Sequence, residues 1–282
     1  MRNQARHRWI VLTFACSLAA CHEAPPPTIP AKHGAEAAAP ISADKTQLVT
    51  VVSAEWTAFR ATLRRYERDP GQRWKPAGRP VDVVLGREGY GWGRGLHGTS
   101  PPEGRPGPIK REGDGRSPAG AFSIGTAYGY APARKDISVL YVQTTGELRC
   151  VDDPDSNHYN RIVSTAETNV DWQSAEHMRR EDDLYVLAIV VEHNTEAPKP
   201  GAGSCIFIHL WEGPDKGMSG CTAMALDPLE ELAGWLRPDA AVYVALPRSE
   251  YEALKQPWAL PTIPLLGQFD SASNEGGVGK RD

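Results

Sequence analysis

Short apolar runs separated by glycine, proline and aspartate recur along residues 47–247. Short runs bounded by turn-forming residues are typical of strands, so the pattern predicts a fold built mainly of strands. The runs are rich in the β-branched and aromatic side chains that pack well on a pleated surface. About 200 residues of this composition amount to one domain of ordinary size. The predicted strands are residues 47–52, 61–66, 73–85, 138–143, 184–192, 204–211 and 241–246.

The second and third of these runs are predicted to form a hairpin. Residues 69–71 read Asp-Pro-Gly between them, where proline presets φ and glycine accepts the positive φ of a tight turn. A helix over residues 54–68 is the alternative, because large apolar side chains recur there at helical spacing.

One helix is predicted from Asp227 to about Leu236. Asp227 supplies an N-cap, Pro228 suits the first helical position, and Glu230 stands where a capping box places its glutamate. The helix starts six residues after Cys221, so this cysteine is expected in a strand-to-helix connection.

The N-terminus has the proportions of a secretory signal. Three arginines precede an uncharged, mostly apolar run over residues 9–20, which is too short to span a bilayer. The run ends in Leu18-Ala19-Ala20-Cys21, which resembles the lipobox of bacterial lipoproteins, where the signal is cut before a cysteine that is then acylated. An ordinary signal peptide with a chance cysteine is the alternative. We predict a lipoprotein signal peptide over residues 1–20 and attachment to the membrane through lipidated Cys21.

The same resemblance implies a location and a domain order. His22 rather than an aspartate follows the lipidated cysteine, which implies a periplasm-facing lipoprotein of the outer membrane by the usual sorting rule. Residues 21–46 are rich in proline and alanine, which predicts a disordered tether. The catalytic domain is predicted over residues 47–247, and residues 248–282 form a C-terminal extension that is partly disordered.

The charge balance excludes one class of partner. The chain has a formal charge of −4, and loss of the signal with its three arginines takes this to about −7. Such a mildly acidic protein has no electrostatic footprint for nucleic acid, so no nucleic-acid partner is expected.

The cysteines predict one disulfide and one free thiol. Cys16 belongs to the signal and Cys21 to the lipid anchor, which leaves three cysteines in an oxidising compartment. Because three is an odd number, the simplest arrangement is one pair and one thiol. The sequence does not establish connectivity. We predict that Cys150 pairs with Cys205 and that Cys221 is free.

Residues 205–221 carry the reactive groups. Side chains alternate along a strand, so His209 is expected to face away from the core and into a cleft. Twelve residues later a glycine-rich turn ends at Cys221. A thiol is mostly protonated at neutral pH, so a nucleophilic cysteine needs a neighbouring base, and His209 could supply it. A lone histidine on a strand is otherwise a structural residue.

A zinc site is the competing interpretation of these residues, with Cys205, His209 and Cys221 as ligands. The first two lie four residues apart on one strand, about 13 Å between Cα atoms, whereas zinc bonds are only ~2.0–2.3 Å long. Neither a metal nor a cofactor is therefore expected.

Three separated motifs occur in a fixed order along residues 80–247. Residues 83–87 and 91–93 are glycine-containing strands, residues 110–122 read KREGDGRSPAGAF, and His209 precedes the turn that ends at Cys221. Together these motifs resemble the catalytic domain of bacterial L,D-transpeptidases, the YkuD-type domain. One position departs from the family, because Ser219 stands where a second loop histidine is usual.

The resemblance implies a fold and an activity. The fold would be mostly β with minor α (α+β), as a mixed β-sheet or sandwich domain with a helix after the catalytic cysteine. The activity would be that of a transferase of cell wall biogenesis, with peptidoglycan stem peptides as donor and acceptor, Cys221 as nucleophile and His209 as its base. One alternative is hydrolysis of the same acyl-enzyme, by a carboxypeptidase or an amidase. The other is a non-catalytic envelope-binding lipoprotein.

Further site residues follow from position. Consecutive N–H groups around Ser219, Gly220 and Cys221 could hold an oxyanion. Four further residues are candidates for contact with the substrate: Arg111, Arg116, His193 and Trp211. The alternative is a solvated loop for the two arginines, a structural capping role for His193 and packing in the core for Trp211.

Overall fold

The computed structural model describes residues 39 to 263, so the predicted signal, residues 21–38 of the predicted tether, including Cys21, and residues 264–282 lie outside the described range. Within that range the chain is mostly β, with two helices, Leu226–Trp235 (α1) and Arg248–Leu254 (α2). The strands are Gln47–Ser53 (β1), Arg60–Glu67 (β2), Lys75–Pro76 (β3), Val81–Val84 (β4), Tyr90–Trp92 (β5), Ser117–Gly129 (β6), Tyr141–Gln143 (β7), Leu148–Val151 (β8), Ile162–Ser164 (β9), Ala175–His177 (β10), Leu187–Val191 (β11), Phe207–Leu210 (β12), Thr222–Met224 (β13) and Ala241–Pro247 (β14).

Eight of these strands form a sheet that closes on itself. The order is β1, β14, β6, β11, β12, β13, β4 and β2, and β2 then pairs with β1 again. The closing contacts are long: β1 runs parallel to β14 over its whole length, with Gln47 opposite Ala241. A separate sheet of three strands, in the order β10, β8, β9, lies outside this ring of pairings.

The predicted sandwich domain is therefore wrong. A sandwich needs two sheets packed face to face, whereas here one sheet supplies the main body of the domain and pairs its first strand with both β2 and β14. Alternation of apolar and polar residues is the same in both architectures, because it reports only which face of a strand is buried. Strand pairing decides between them.

The predicted hairpin is present and the alternative helix over residues 54–68 is not. Strand β2 pairs antiparallel with both β3 and β4, with Leu63 opposite Val81. Helix α1 follows Cys221 but begins one residue before the predicted N-cap, at Leu226, and Ala225 in the N-cap position makes no side-chain cap. Asp227 instead lies in the first turn, where a carboxylate still interacts favourably with the helix dipole.

The chain continues into the core beyond β14. Helix α2 buries Tyr251 and Leu254, and Trp258 and Ile263 are also almost fully buried. Neither helix in residues 39–263 has the length and apolar character needed to cross a bilayer.

Two apolar cores lie on opposite faces of β12. Ile206 and Ile208 belong to the large core that also includes β1, β6 and β14. Phe207 and Cys221 belong to a second core with Met178 and Tyr185, beside the three-stranded sheet. The alternation predicted for this strand is therefore observed, but its second face is covered by protein.

Asn160 fastens the three-stranded sheet region to β12. Its side-chain amide donates to the carbonyls of His193 and Asn194 at 3.0 and 2.8 Å, and its carbonyl oxygen accepts from the Cys205 N–H at 2.9 Å. Its φ of 59° lies in the left-handed region, which asparagine tolerates better than most residues. One buried side chain thus satisfies three backbone groups of two separate segments.

We expect Asn160→Ala to lower the free energy of unfolding by about 3 kcal/mol, because three buried backbone groups lose their partners together. Urea unfolding followed by tryptophan fluorescence measures the change. Asn157→Ala is the matched control, since its amide donates to Asp171 on an exposed surface and should cost well under about 1 kcal/mol. Equal losses in the two variants would contradict the role assigned to Asn160.

Candidate active site

Cys221 and His209 lie on neighbouring parallel strands and on the same face of the sheet. Strands β12 and β13 pair with His209 opposite Ala223, and Cys221 directly precedes β13. The Phe207 N–H donates to the Cys221 Sγ at 3.3 Å, which places the cysteine beside Phe207. Because Phe207 and His209 are two residues apart on one strand, Cys221 and His209 are diagonal neighbours with Cα atoms about 8 Å apart. Their side chains therefore project from the same face of the sheet.

The orientation of the His209 ring defines its basic nitrogen. Nδ1 lies 2.7 Å from the Leu210 carbonyl oxygen, which can only accept, so Nδ1 carries the proton in the neutral ring. Nε2 is then the nitrogen that can take a proton. The backbone carbonyl of Leu184 also interacts with the ring and, like that of Leu210, raises the pKa of His209 against the larger effect of burial.

Both reactive groups are covered rather than presented in an open cleft. His209 is 3% exposed and Cys221 is 7% exposed. The ring of Tyr185 packs edge-on against the imidazole, with 5.0 Å between centroids. The expectation that His209 faces a cleft is therefore wrong, because the segment that carries Tyr185 covers that face of β12.

Burial holds the pair in its neutral form. It raises the pKa of the Cys221 thiol to about 12, and the negative charge of Glu176 contributes in the same direction. Burial likewise lowers the pKa of His209 to about 4. At neutral pH Cys221 is therefore a thiol and His209 a neutral imidazole.

The turn before Cys221 is held from behind by the start of β6. The Ser117 hydroxyl donates to the Cys221 carbonyl at 3.0 Å and accepts from the Gly86 N–H at 2.9 Å. Gly220 packs on the Arg116 carbonyl, which would lie 3.1 Å from a Cβ at this position. Ser219 is exposed at the rim of the turn. These contacts fix the backbone N–H groups that were predicted to bind an oxyanion.

Lys110 is a buried cation behind the same turn. Its ammonium donates to the Arg111 carbonyl and to Asp114 Oδ1, both at 2.6 Å. It also lies 3.8 Å from the position of a Cβ on Gly220. Its charge acts to lower the pKa of Cys221, against the larger effect of burial. Lys110 is the first residue of the KREGDG motif, but substrate contact was predicted only for arginines of this region, Arg111 and Arg116.

The four predicted substrate contacts are distributed differently from the expectation. Arg111 is exposed. Arg116 donates to the carbonyls of Glu88 and Tyr90 at 2.6 and 3.0 Å, so its guanidinium braces the backbone. Trp211 is partly buried and packs on the same core as Cys221.

His193 is buried and offers no surface to a substrate. It is 1% exposed, its Nδ1 accepts from the Arg94 N–H at 3.2 Å, and its Nε2 donates to the Ala202 carbonyl at 3.1 Å. Both ring nitrogens are thus used by backbone groups, which is the structural role weighed as the alternative.

The disulfide and the free thiol have the predicted arrangement. Cys150 on β8 is bonded to Cys205, and Cys221 is the free cysteine of the described range. The Cys221 Sγ lies 3.5 Å from the Cys205 carbonyl oxygen, so the disulfide ties the three-stranded sheet directly over the thiol. Within residues 39–263 no cluster of three or more His, Cys, Asp or Glu side chains could hold a metal ion.

Sequence reasoning missed Glu176 and Tyr185. Glu176 lies on β10 opposite Cys150, and the Tyr185 hydroxyl donates to its carboxylate. Burial raises the pKa of Glu176 to about 7. Neither residue stands in a glycine-rich motif or at a recognisable spacing from Cys221, so no signal in the sequence joined them to the site.

Cavities in the described range lie away from the reactive pair. Volumes of about 510 and 780 Å³ are found beside Arg94 and beside Trp74, and a smaller one of about 160 Å³ lies against Lys110. Neither Cys221 nor His209 lines any of them. The pair therefore lies beneath the segment above β12 and not in any of these three cavities.

Acidification should destabilise the fold through its buried histidines. Burial lowers the pKa of His209 to about 4 and that of His193 to about 3, below the ordinary 6.5, and it also lowers the pKa of His97. Their neutral forms therefore contribute stability that is complete above pH 6.5 and is lost as the pH falls through the lowered pKa values. Glu176, raised from 4.5 to about 7, acts in the opposite direction and offsets one of these histidines. We expect the free energy of unfolding to be on the order of 2 kcal/mol lower at pH 4.5 than at pH 7.

Urea unfolding at the two pH values measures this difference. In His193→Gln it should become smaller, because one of the three histidines whose burial opposes protonation is removed. His177→Gln, at an exposed position, is the control and should keep the wild-type difference. A wild-type protein that is more stable at pH 4.5 than at pH 7 would contradict the assignment.

Comparison with known proteins finds distant structural similarity to a solved structure. No protein-family model and no curated protein matches the sequence. The solved structure of Bdellovibrio bacteriovorus Bd1075 is similar with a TM-score of 0.39 and 12% sequence identity. The match covers 79% of this chain and 59% of that chain, so it spans less than two thirds of the neighbour. Similarity at this level does not assign a shared fold.

Proposed function

We propose that this protein is a cysteine acyl transferase that acts on peptidoglycan stem peptides, as the sequence motifs of L,D-transpeptidases imply. The observation that carries the proposal is the free thiol of Cys221 on the same sheet face as His209, on the neighbouring strand. The proposal rests on this site and on the sequence motifs, not on the shape of the domain. It also includes lipidation at Cys21, periplasmic orientation and an outer-membrane location, for which the N-terminal motif is the support.

The proposed reaction proceeds through a thioacyl-enzyme. The Cys221 sulfur attacks the carbonyl carbon between diaminopimelate and D-alanine while His209 Nε2 takes the thiol proton. The backbone N–H groups around Gly220 and Cys221 stabilise the oxyanion, and the Ser117 contact keeps them in place. The C–N bond then breaks, His209 returns the proton to the leaving amine, and D-alanine departs. An amine of a second stem resolves the thioester.

A non-catalytic envelope-binding protein is the second candidate. The observation in its favour is the burial of Cys221 together with a thiol pKa of about 12, which leaves almost no thiolate at neutral pH. Hydrolysis by water instead of an amine would use the same pair of residues and differ only in the second step.

Incubation of purified protein with intact muropeptides separates these functions. New 3→3 cross-links support the transferase, trimmed stems without cross-links support the hydrolase, and binding without chemical change supports the envelope-binding protein. Peptide mapping after thiol labelling adds a second test, because the native protein should be labelled at Cys221 and not at Cys150 or Cys205.

A further inference from the structure

Glu176 is joined to Cys221 by one series of contacts and to His209 by another. It lies opposite Cys150 in the β8–β10 pairing, Cys150 is bonded to Cys205, and the Cys205 carbonyl contacts the Cys221 sulfur at 3.5 Å. Its carboxylate also accepts the Tyr185 hydroxyl, and the Tyr185 ring packs on His209. Both series end at the reactive pair, so the carboxylate stands on the covering sheet directly above it.

This carboxylate has no cation in direct contact among the described residues. None of the ion pairs among residues 39–263 includes Glu176, and Arg180, whose charge acts on Glu176 from a greater distance, pairs directly with Asp182 at 2.5 Å. A desolvated carboxylate without a directly paired cation loses solvation free energy, which a bound cation would recover. The Tyr185 hydrogen bond only partly satisfies its two oxygens.

We propose that Glu176 is the subsite for a primary ammonium group of the substrate. This inference rests on the proposed function for the identity of the substrate, since the diaminopimelate residue whose carbonyl reacts carries a free amino group at the far end of its side chain. Glu176 is a binding residue in this role and takes no part in bond making or breaking.

Occupancy of the subsite would also activate the nucleophile. The negative charge of Glu176 is, after burial, the leading cause of the raised pKa of Cys221. A bound ammonium cancels that charge and adds a cation close to the sulfur, so it favours the thiolate. An ammonium-bearing substrate is thus recognised and made more reactive by the same contact.

Two alkylating reagents test the subsite without any need for acyl transfer. Cys221 of the whole protein is treated with 2-bromoethylamine, which carries an ammonium group, or with neutral iodoacetamide, and modification is read by peptide mapping. We expect the rate ratio of the charged to the neutral reagent to fall about tenfold or more in Glu176→Gln. The ratio cancels general changes in thiol reactivity. Glu192→Gln, at another partly buried carboxylate, is the control and should keep the wild-type ratio.

Stem peptides then identify which ammonium is bound. A tetrapeptide donor with a free amino group on diaminopimelate is compared with its N-acetylated form, and both reactions use the same unmodified acceptor. A preference for the free amino group at D-alanine release that is lost in Glu176→Gln assigns the donor ammonium, and wild-type release that does not distinguish the two donors excludes it.

The outcomes separate the two proposals. An unchanged reagent ratio in Glu176→Gln overturns the subsite, whatever the catalytic result. A changed ratio without D-alanine release from either peptide supports the subsite and contradicts the proposed function. Near-UV circular dichroism of each variant shows whether the fold is retained.

Discussion

Cys221→Ala should lower the rate of D-alanine release from a stem tetrapeptide by on the order of 10⁴-fold or more, because no other free cysteine of the described range can replace it. The residual rate would come from binding and oxyanion stabilisation alone. Chromatographic measurement of free D-alanine gives the rate, and intact-mass analysis tests whether an acyl adduct forms. Loss of the adduct together with the rate is the expected result.

His209→Gln is the partner variant of this prediction. Removal of the base should cost nearly as much as removal of the nucleophile, and the double variant should cost little more, since the two residues act as a unit. Ser219→Ala is the matched control in the same turn, because its exposed side chain should change the rate only slightly. Full activity in Cys221→Ala would contradict the proposed mechanism.

Loss of the Cys150–Cys205 disulfide should lower the free energy of unfolding by about 4 kcal/mol. The bridge closes a chain segment with a sequence separation of 55, and the constraint that it places on the unfolded chain accounts for a value of this size. The double variant Cys150→Ala/Cys205→Ala avoids stray thiols, and urea unfolding measures the change. Reduction of the wild-type protein should give a similar loss.

The disulfide variant should also expose the thiol. Without the bridge the three-stranded sheet is tied to β12 mainly through Asn160, so alkylation of Cys221 by iodoacetamide should become faster. A double variant as stable as the wild type, with an unchanged alkylation rate, would show that the bridge neither stabilises the domain nor covers the site.

The strand-rich nature of the domain could be predicted because turn residues mark the ends of its strands, and the hairpin was predicted for that reason. Closure of the sheet could not be predicted, because it depends on the pairing of β1 with β14. These strands are far apart in the sequence, and no local sequence pattern indicates that they pair. Strand β6 was missed because alanine and glycine fill much of it, as Ala119 and Ala121 do. At Gly120 a Cβ would lie 2.0 Å from the His97 ring, so close packing rather than propensity selects these residues.

The reactive pair could be predicted because both members lie in one short segment with a recognisable motif. Its surroundings could not, because Glu176 and Tyr185 reach the pair from elsewhere in the chain through β10 and the covering segment. The prediction for His193 was wrong in the opposite sense. Its position after an apolar strand suggested a residue of the site, but both of its ring nitrogens form hydrogen bonds with backbone groups. Burial and hydrogen-bond partners, which separate these cases, are properties of the folded chain.

The pairing of β1 with β14 has a consequence for how the domain is made. The first strand of the ring has no parallel partner until residues 241–247 have been synthesised, so the ring stays open for almost the whole of translation. Contacts of such sequence separation slow folding and leave strand edges unprotected meanwhile. The nascent chain should therefore depend on a chaperone until strand β14 has been synthesised. Truncation before residue 241 should yield aggregates rather than a smaller folded domain.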